Sequence, residues 1–292
     1  MKKGIIFVLI FSICFFLITP VNYALSTDNK NVYNILLIGK DGISKENSRS
    51  DTMIILTIDN NHKILKLTSL ARDTLVHIEN KGPDKLNHAF YYGGVDLLLK
   101  TINSNFNLNI KDYAIVDFKS FVEVINILGG VDINIENREI EDLNKSIEAC
   151  YGLGIDNLGN NIEYIVNSGE NLLNGYQALA YCRLRKSDNC FNRDNRQRKI
   201  LQSLAYKLSK VSIWKYPELI STILKYVEVN ISVEKIFNLA IISRNLKNYE
   251  MEQLEFPLEN FREDGRLQAT DQYVIKWDKK ENLKFLHEFI YN

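Results

Sequence analysis

Three apolar runs rich in β-branched residues, at positions 33–39, 52–59 and 63–69, follow one another early in the chain. Runs this short, bounded by Gly39 and by Asn60-Asn61, read as buried strands rather than helices. Asn60-Asn61 makes a tight turn, so the second and third runs pair as an antiparallel hairpin. Asp51 enters the second strand and Ser69-Leu70-Ala71-Arg72-Asp73 leaves the third, and the hairpin brings those ends together. If the first strand also pairs in the antiparallel sense, Asp41 joins them, and one rim of a sheet holds two carboxylates and an arginine. Alone, each has an ordinary role: Asp-Gly and Ser-Asp are common turn and cap residues, and Arg72 can pair with its neighbour Asp73.

The rest of the chain mixes helices with strands. Positions 85–92 read as a short helix closed by Gly93-Gly94, and 96–106 as a longer one. A strand at 113–118 precedes a helix carrying Phe121, Val122, Val124, Ile125 and Leu128, and Gly129-Gly130 suits a left-handed helix end before a strand opening at Val131. Positions 137–168, rich in Asn and Gly, read as a mobile insertion. Helices are expected near 173–181, 217–227, 232–245 and from 279, and strands near 254–256 and 273–277. His77 and His88 are isolated and read as structural. This order predicts one α/β domain, a mixed central sheet with helices on both faces.

Cations crowd one segment of a chain with no formal net charge: positions 181–199 hold seven Lys or Arg against two Asp. Arg183 and Arg185 stand two apart, so in an extended segment both leave by the same face. From Arg193 the pattern reads as a helix with the apolar stripe Ile200, Leu201, Leu204 and Leu208. Arg193 and Gln197 fall inside that stripe, Arg196 and Arg198 flank it, and Lys199 points away. The last three read as a solvated face. An inward guanidinium is costly unless an anion meets it. Arginine's planar fork suits phosphate oxygens, so the segment points to a highly charged oxyanion such as a pyrophosphate. With such a ligand, Asp41 and Asp51 fit a hard cation held by two carboxylates and phosphate oxygens, as magnesium is.

Tyr181-x-Arg183-x-Arg185 followed by Arg193-x-x-Arg196-Gln197 resembles the signature of the LytR-CpsA-Psr family of cell-wall glycopolymer ligases. Ile38-Gly39-Lys40-Asp41, Arg49-Ser50-Asp51-Thr52, Ser69-x-x-Arg72-Asp73, Lys85-x-Asn87-x-Ala89-Phe90 and Leu128-Gly129-Gly130-Val131-Asp132 resemble family motifs in the family's order. Ala71 stands where the family usually has proline, and Cys190 where it commonly has an Asp three residues before the arginine matched by Arg193. The resemblance covers about residues 33–206 by motif. It implies phosphoryl transfer: a polyprenyl-pyrophosphate-linked glycopolymer, of teichoic acid or capsule type, is attached through its phosphate to peptidoglycan, and polyprenyl phosphate leaves. By motif, Asp41 and Asp51 would hold Mg2+, and Arg72, Lys85, Arg183, Arg185, Arg193 and Gln197 would bind the pyrophosphate. Arg72 and Asp73 are the catalytic candidates, with Asp73 either the acceptor for the attacking proton or the partner that holds Arg72. Apolar helices near 97–106 and 118–128 either line a lipid groove or pack the core. The rival readings are a lipid-pyrophosphate binder or pyrophosphatase without ligase activity, and a membrane-bound regulator.

Composition bounds these readings. With 292 residues, 46% of them hydrophobic, the chain can bury a sizeable core. A pI near 6.9 argues against a nucleic-acid partner. Nothing charged lies between Lys3 and Asp28, which predicts a signal-anchor or signal peptide over residues 1–27, with an extracellular catalytic domain at 28–292. Lys2 and Lys3 keep the N-terminus inside, so the domain is expected outside a cell membrane crossed once, or secreted if the segment is cleaved. Of the four cysteines, Cys14 lies in the apolar segment; a Cys150 to Cys190 disulfide is expected, with Cys182 buried opposite the arginines.

Overall fold

The computed structural model describes residues 32–40, 50–153, 162–184 and 190–292, apart from 244, 246, 247 and 269, and gives the backbone alone at 190–194, 198, 213 and 243. The three early runs form strands β1 (Val32–Lys40), β2 (Ser50–Asp59) and β3 (Ile64–Leu70). Both junctions are antiparallel, with Leu37 opposite Ile54 and Ile54 opposite Ser69. Lys40 pairs with Ser50 across a bulge, so the entry to β2 sits at the end of β1, as the hairpin reading requires.

After β3 the chain makes a small hairpin, β4 (Leu75–Ile78) and β5 (Gly82–Lys85), and then helix α1 (Leu86–Phe106). The two helices expected here are one helix kinked at Gly93–Gly94, where Gly94 adopts φ +64°. Strand β6 (Asp112–Val116) joins β1 in parallel, and helix α2 (Phe118–Ile127) is capped by Asp117, whose side chain accepts from the Ser120 backbone N–H. Strand β7 (Val131–Ile135) pairs with β8 (Gly169–Leu173).

Between β7 and β8 lies helix α3 (Ile140–Tyr151), where a mobile insertion was expected. Leu143, Ile147 and Cys150 recur at helical spacing and are buried, which pins residues 140–151 into a core. Residues 154–161 of that segment are outside the described residues. Helix α4 (Gly175–Arg183) starts at an Asn174–Gln177 capping box. Helices α5 (Cys190–Lys210), α6 (Tyr216–Ile223) and α7 (Val233–Ser243), strands β9 (Glu228–Val229), β10 (Glu250–Phe256), β11 (Arg262–Arg266) and β12 (Tyr273–Trp277), and helix α8 (Lys279–Tyr291) complete the chain.

The central sheet is mixed, in the order β10-β3-β2-β1-β6-β9. Alternation along its strands divides the interior. Leu36, Ile38, Met53 and Ile55 pack with α1 and α8 in one core cluster, while the opposite face presents Leu37, Ile54 and Val116 toward α2 and α5. A second cluster joins α2, α3, α4 and the β7–β8 pair. Residues 31–292 form one compact unit, the single α/β domain that was expected. Among the described residues no helix is long and apolar enough to cross a membrane; the expected segment 1–27 lies outside them.

Gly175 sits where α4 meets α2: a Cβ there would fall 2.3 Å from the Val122 carbonyl oxygen. Gly175→Ala is therefore expected to force the two helices apart at a cost of roughly 1–3 kcal/mol. A denaturant midpoint equal to that of the unmodified protein would show that the contact is not tight.

Candidate functional site

Arg72 and Asp73 occupy a turn whose backbone is tied on every side. The Ala71 N–H donates to the Phe256 carbonyl at 2.8 Å, the Asn87 N–H to the Arg72 carbonyl at 3.1 Å and the Ile275 N–H to the Asp73 carbonyl at 2.8 Å. Within it, Arg72 Nη1 donates to Asp51 Oδ1 at 2.6 Å and Arg72 Nε lies 3.5 Å from Asp73 Oδ2. Lys85 Nζ donates to the other oxygen of Asp73 at 2.7 Å. Burial alone would lower the pKa of Arg72, but Asp51 and Asp73 outweigh it and raise it. Arg72 thus has both partners the sequence offered, its neighbour and the carboxylate across the hairpin. Asp41, expected at this rim, lies outside the described residues.

The arginine segment departs from its expected form. Tyr181, Cys182 and Arg183 close helix α4 instead of starting a strand, so alternation does not govern their directions. Arg183 lies over the Phe118 ring, 4.6 Å from its centroid. Gln197 faces inward from α5 as expected. Arg193 is one helical turn before it, with its side chain outside the description, and Arg185 lies wholly outside. Arg196 is not on a solvated face: it is 8% exposed, sits over the Tyr181 ring and meets Glu139 at 3.2 Å. The charge of Glu139, which follows β7, makes that burial tolerable. Lys199 is half-buried, 3.5 Å from the Tyr181 hydroxyl.

Two cavities meet at this rim. The first, about 340 Å³, has apolar walls that include Leu37, Ile54, Phe121, Val124, Leu201 and Leu204, with polar groups from Lys40, Asp51, Arg72, Asp117, Arg183 and Gln197. Ile200, Leu201 and Leu204 of the apolar stripe on α5 line this space. So does α2, whereas Leu98, Ile102 and Phe106 of α1 pack the other core. The second cavity, about 290 Å³, includes Asp73, Glu255, Arg262, Asp264 and Tyr273 in its wall. Asp51, Thr52, Ile54, Arg72 and Gln197 border both. Arg262, Asp264 and Tyr273 escaped the sequence reading; the alternation of Arg262 and Asp264 in a polar run was their only signal.

The expected Cys150–Cys190 disulfide is not formed. Cys150 is a free thiol, 1% exposed among α3 neighbours, and Cys182 is a free thiol beside Arg183 on the first cavity. Burial pushes the Cys150 thiol up to about 11 against the pull of Arg183, and Cys182 up to about 12 against that of Arg196.

A sheet rim of guanidinium and carboxylate groups beside an apolar cavity can receive a molecule with a charged head and an apolar tail. The chain belongs to the LytR_cpsA_psr family, whose model matches residues 18–286. It is 30% identical over 233 residues to the polyisoprenyl-teichoic acid–peptidoglycan teichoic acid transferase TagT of Bacillus subtilis (strain 168), covering 77% of this chain and 68% of the relative. It is 29% identical over 266 residues to the regulatory protein MsrR of Staphylococcus aureus (strain COL), covering 90% and 75%. The solved structure of TagT bound to LIIa-WTA superposes with a TM-score of 0.70 at 25% identity, covering 92% of this chain and 95% of that one.

Because burial raises the pKa of both thiols and so lowers their thiolate fraction, Cys150 and Cys182 are expected to react with a disulfide reagent at least about tenfold more slowly in the folded than in the unfolded protein. Peptide mapping without reductant should recover Cys150 unpaired; a Cys150–Cys190 peptide would reverse this assignment.

Proposed function

We propose that this protein transfers a glycopolymer from a polyprenyl pyrophosphate carrier to peptidoglycan and releases polyprenyl phosphate. One observation carries the reading: the apolar cavity opens at the rim that holds Arg72, Arg183 and Gln197. A hydrocarbon chain and a pyrophosphate require those two surfaces side by side. The similarity to TagT supports the same reading. Arg72 and Arg183, joined by Arg185 and Arg193, neutralise the pyrophosphate oxygens, and Lys85 holds Asp73 in place beside Arg72.

In the transfer, a hydroxyl oxygen of the acceptor sugar forms a bond to the polymer-bearing phosphorus. The bond from that phosphorus to the bridging oxygen breaks, and polyprenyl phosphate leaves with the electron pair. The hydroxyl proton passes to Asp73 and then to water. No side chain becomes covalently linked to phosphate; Cys182, the thiol on the cavity, has its pKa raised by burial and is a poor nucleophile.

Asp41 and Asp51 are hard oxygen donors, and two carboxylates with substrate phosphates suit Mg2+. Asp51 keeps its second oxygen outside the Arg72 hydrogen bond, so the residue fits that role. A magnesium ion there would neutralise pyrophosphate charge. Residues 1–27, as a signal-anchor or signal peptide, would place the domain at the outer face of the membrane, where a lipid-linked donor is accessible.

Enzyme, magnesium and labelled lipid-linked polymer, incubated with peptidoglycan oligomers, should yield a labelled conjugate, and chelation should abolish it. Release of free polymer phosphate at one rate with or without acceptor would make the protein a hydrolase. Arg183→Ala should weaken binding of a short-chain prenyl pyrophosphate by about 2 kcal/mol, as for a charge-assisted hydrogen bond, while Lys199→Ala changes little. Calorimetry decides; equal losses at both would mean a diffuse basic patch. Leu204→Trp, which fills the apolar cavity, should weaken a long prenyl pyrophosphate but leave inorganic pyrophosphate unaffected, and equal affinity for the long chain would remove the lipid from this space.

A further inference from the structure

The second cavity differs chemically from the first, although they share a wall. Its rim carries four carboxylates, Asp51, Asp73, Glu255 and Asp264, against the guanidiniums of Arg72 and Arg262. Asp51 and Asp73 are engaged by Arg72, and Glu255 accepts from Arg262 at 2.8 Å. Among the described residues Asp264 makes no ion pair; its Oδ1 accepts from the Tyr273 hydroxyl at 2.7 Å. A cleft with this balance repels a second polyanion. It offers oxygen acceptors to hydroxyl and amide N–H groups instead.

Strand geometry explains how these groups meet. Asp264 lies opposite Ile275 in the β11–β12 pair, so Arg262 and Asp264 share a face with Tyr273 and Ile275. The hairpin is fixed to the reaction site by the hydrogen bond from the Ile275 N–H to the Asp73 carbonyl and by a bridge between Thr74 and Ile275. Tyr273 is 42% exposed, and Lys85 Nζ lies 6.0 Å from its ring centroid. Asp73, the proposed proton acceptor, borders this cleft and not the lipid cavity.

We propose that this second cleft is the acceptor subsite, in which the Tyr273 ring and the Asp264 carboxylate position an N-acetylated sugar of a glycan strand for attack across the Arg72–Asp51 wall. The proposal rests on the transferase reading above and adds to it the place and the chemistry of acceptor recognition. The flat ring face receives the apolar side of a pyranose, and Asp264 accepts from its hydroxyl or amide groups. Tyr273 and Asp264 are positioning residues; neither touches the phosphorus.

The test titrates an uncharged tetrasaccharide of N-acetylglucosamine, and separately geranyl pyrophosphate, into the whole protein and into Asp264→Asn, Tyr273→Ala and Tyr273→Phe. Tetrasaccharide Kd should rise about tenfold or more in Asp264→Asn and Tyr273→Ala and less in Tyr273→Phe, which keeps the ring. Geranyl pyrophosphate Kd should stay within about twofold throughout. In the transfer assay, acceptor KM should rise with little change in kcat. Melting temperatures matched to the unmodified protein confirm folded variants, and Tyr273→Phe retains the ring packing should the others fail to fold. Unchanged tetrasaccharide affinity in the folded variants, or no binding by the unmodified protein at millimolar concentration, overturns the proposal. Tetrasaccharide binding lost in the variants but no transfer by the unmodified protein would instead reject the transferase reading and leave the sugar subsite standing.

Discussion

The ion pair between Arg72 and Asp51 depends on the two antiparallel junctions of β2 that end beside it. Pairing β1 with β2 and β2 with β3 returns the end of β3 to the start of β2, and the 2.6 Å contact follows. A slip of one residue in either register would turn Ile54 to the wrong face and remove Asp51 from reach. The apolar faces of the strands therefore enforce the position of the charges, because burying Ile55 and Met53 on one side permits only one register. Fold and site are set by the same constraint.

What could be read in advance follows from how local each signal is. The turn at Asn60-Asn61 and the apolar runs beside it act over a few residues, and they yielded both the hairpin and the meeting of Asp51 with Arg72. The Tyr181–Arg183 stretch failed because alternation of apolar and basic residues imitates a strand, while the deciding signal, the Asn174–Gln177 capping box, stands well upstream. Arg196 was misread for the opposite reason. Its partner Glu139 is remote in sequence, and no periodicity on one helix announces a carboxylate on another element. The segment after β7 looked mobile from composition, yet Leu143, Ile147 and Cys150 held a helical spacing that outweighed its polar neighbours.

The first cavity marks a limit of pattern reading. Ile200, Leu201 and Leu204 form a stripe that a helix would show whether it faced a packed core or an open space. Sequence gives the apolar direction, and only the separation of α5 from the sheet decides what fills it. The same ambiguity touched α1 and α2. The structure divides them, with Leu98 and Phe106 in a close-packed cluster and Phe121 and Val124 on the cavity.

Two cavities bordered by one set of residues also bear on the order of events. Asp51, Thr52, Ile54, Arg72 and Gln197 border both spaces, and on the acceptor-subsite proposal each substrate would have its own. On the transferase reading, donor and acceptor can be present together, and no half-reaction must finish before the second substrate enters. Initial rates measured against donor at several fixed acceptor concentrations would then give intersecting reciprocal lines, the mark of a ternary complex, where a substituted-enzyme route would give parallel ones.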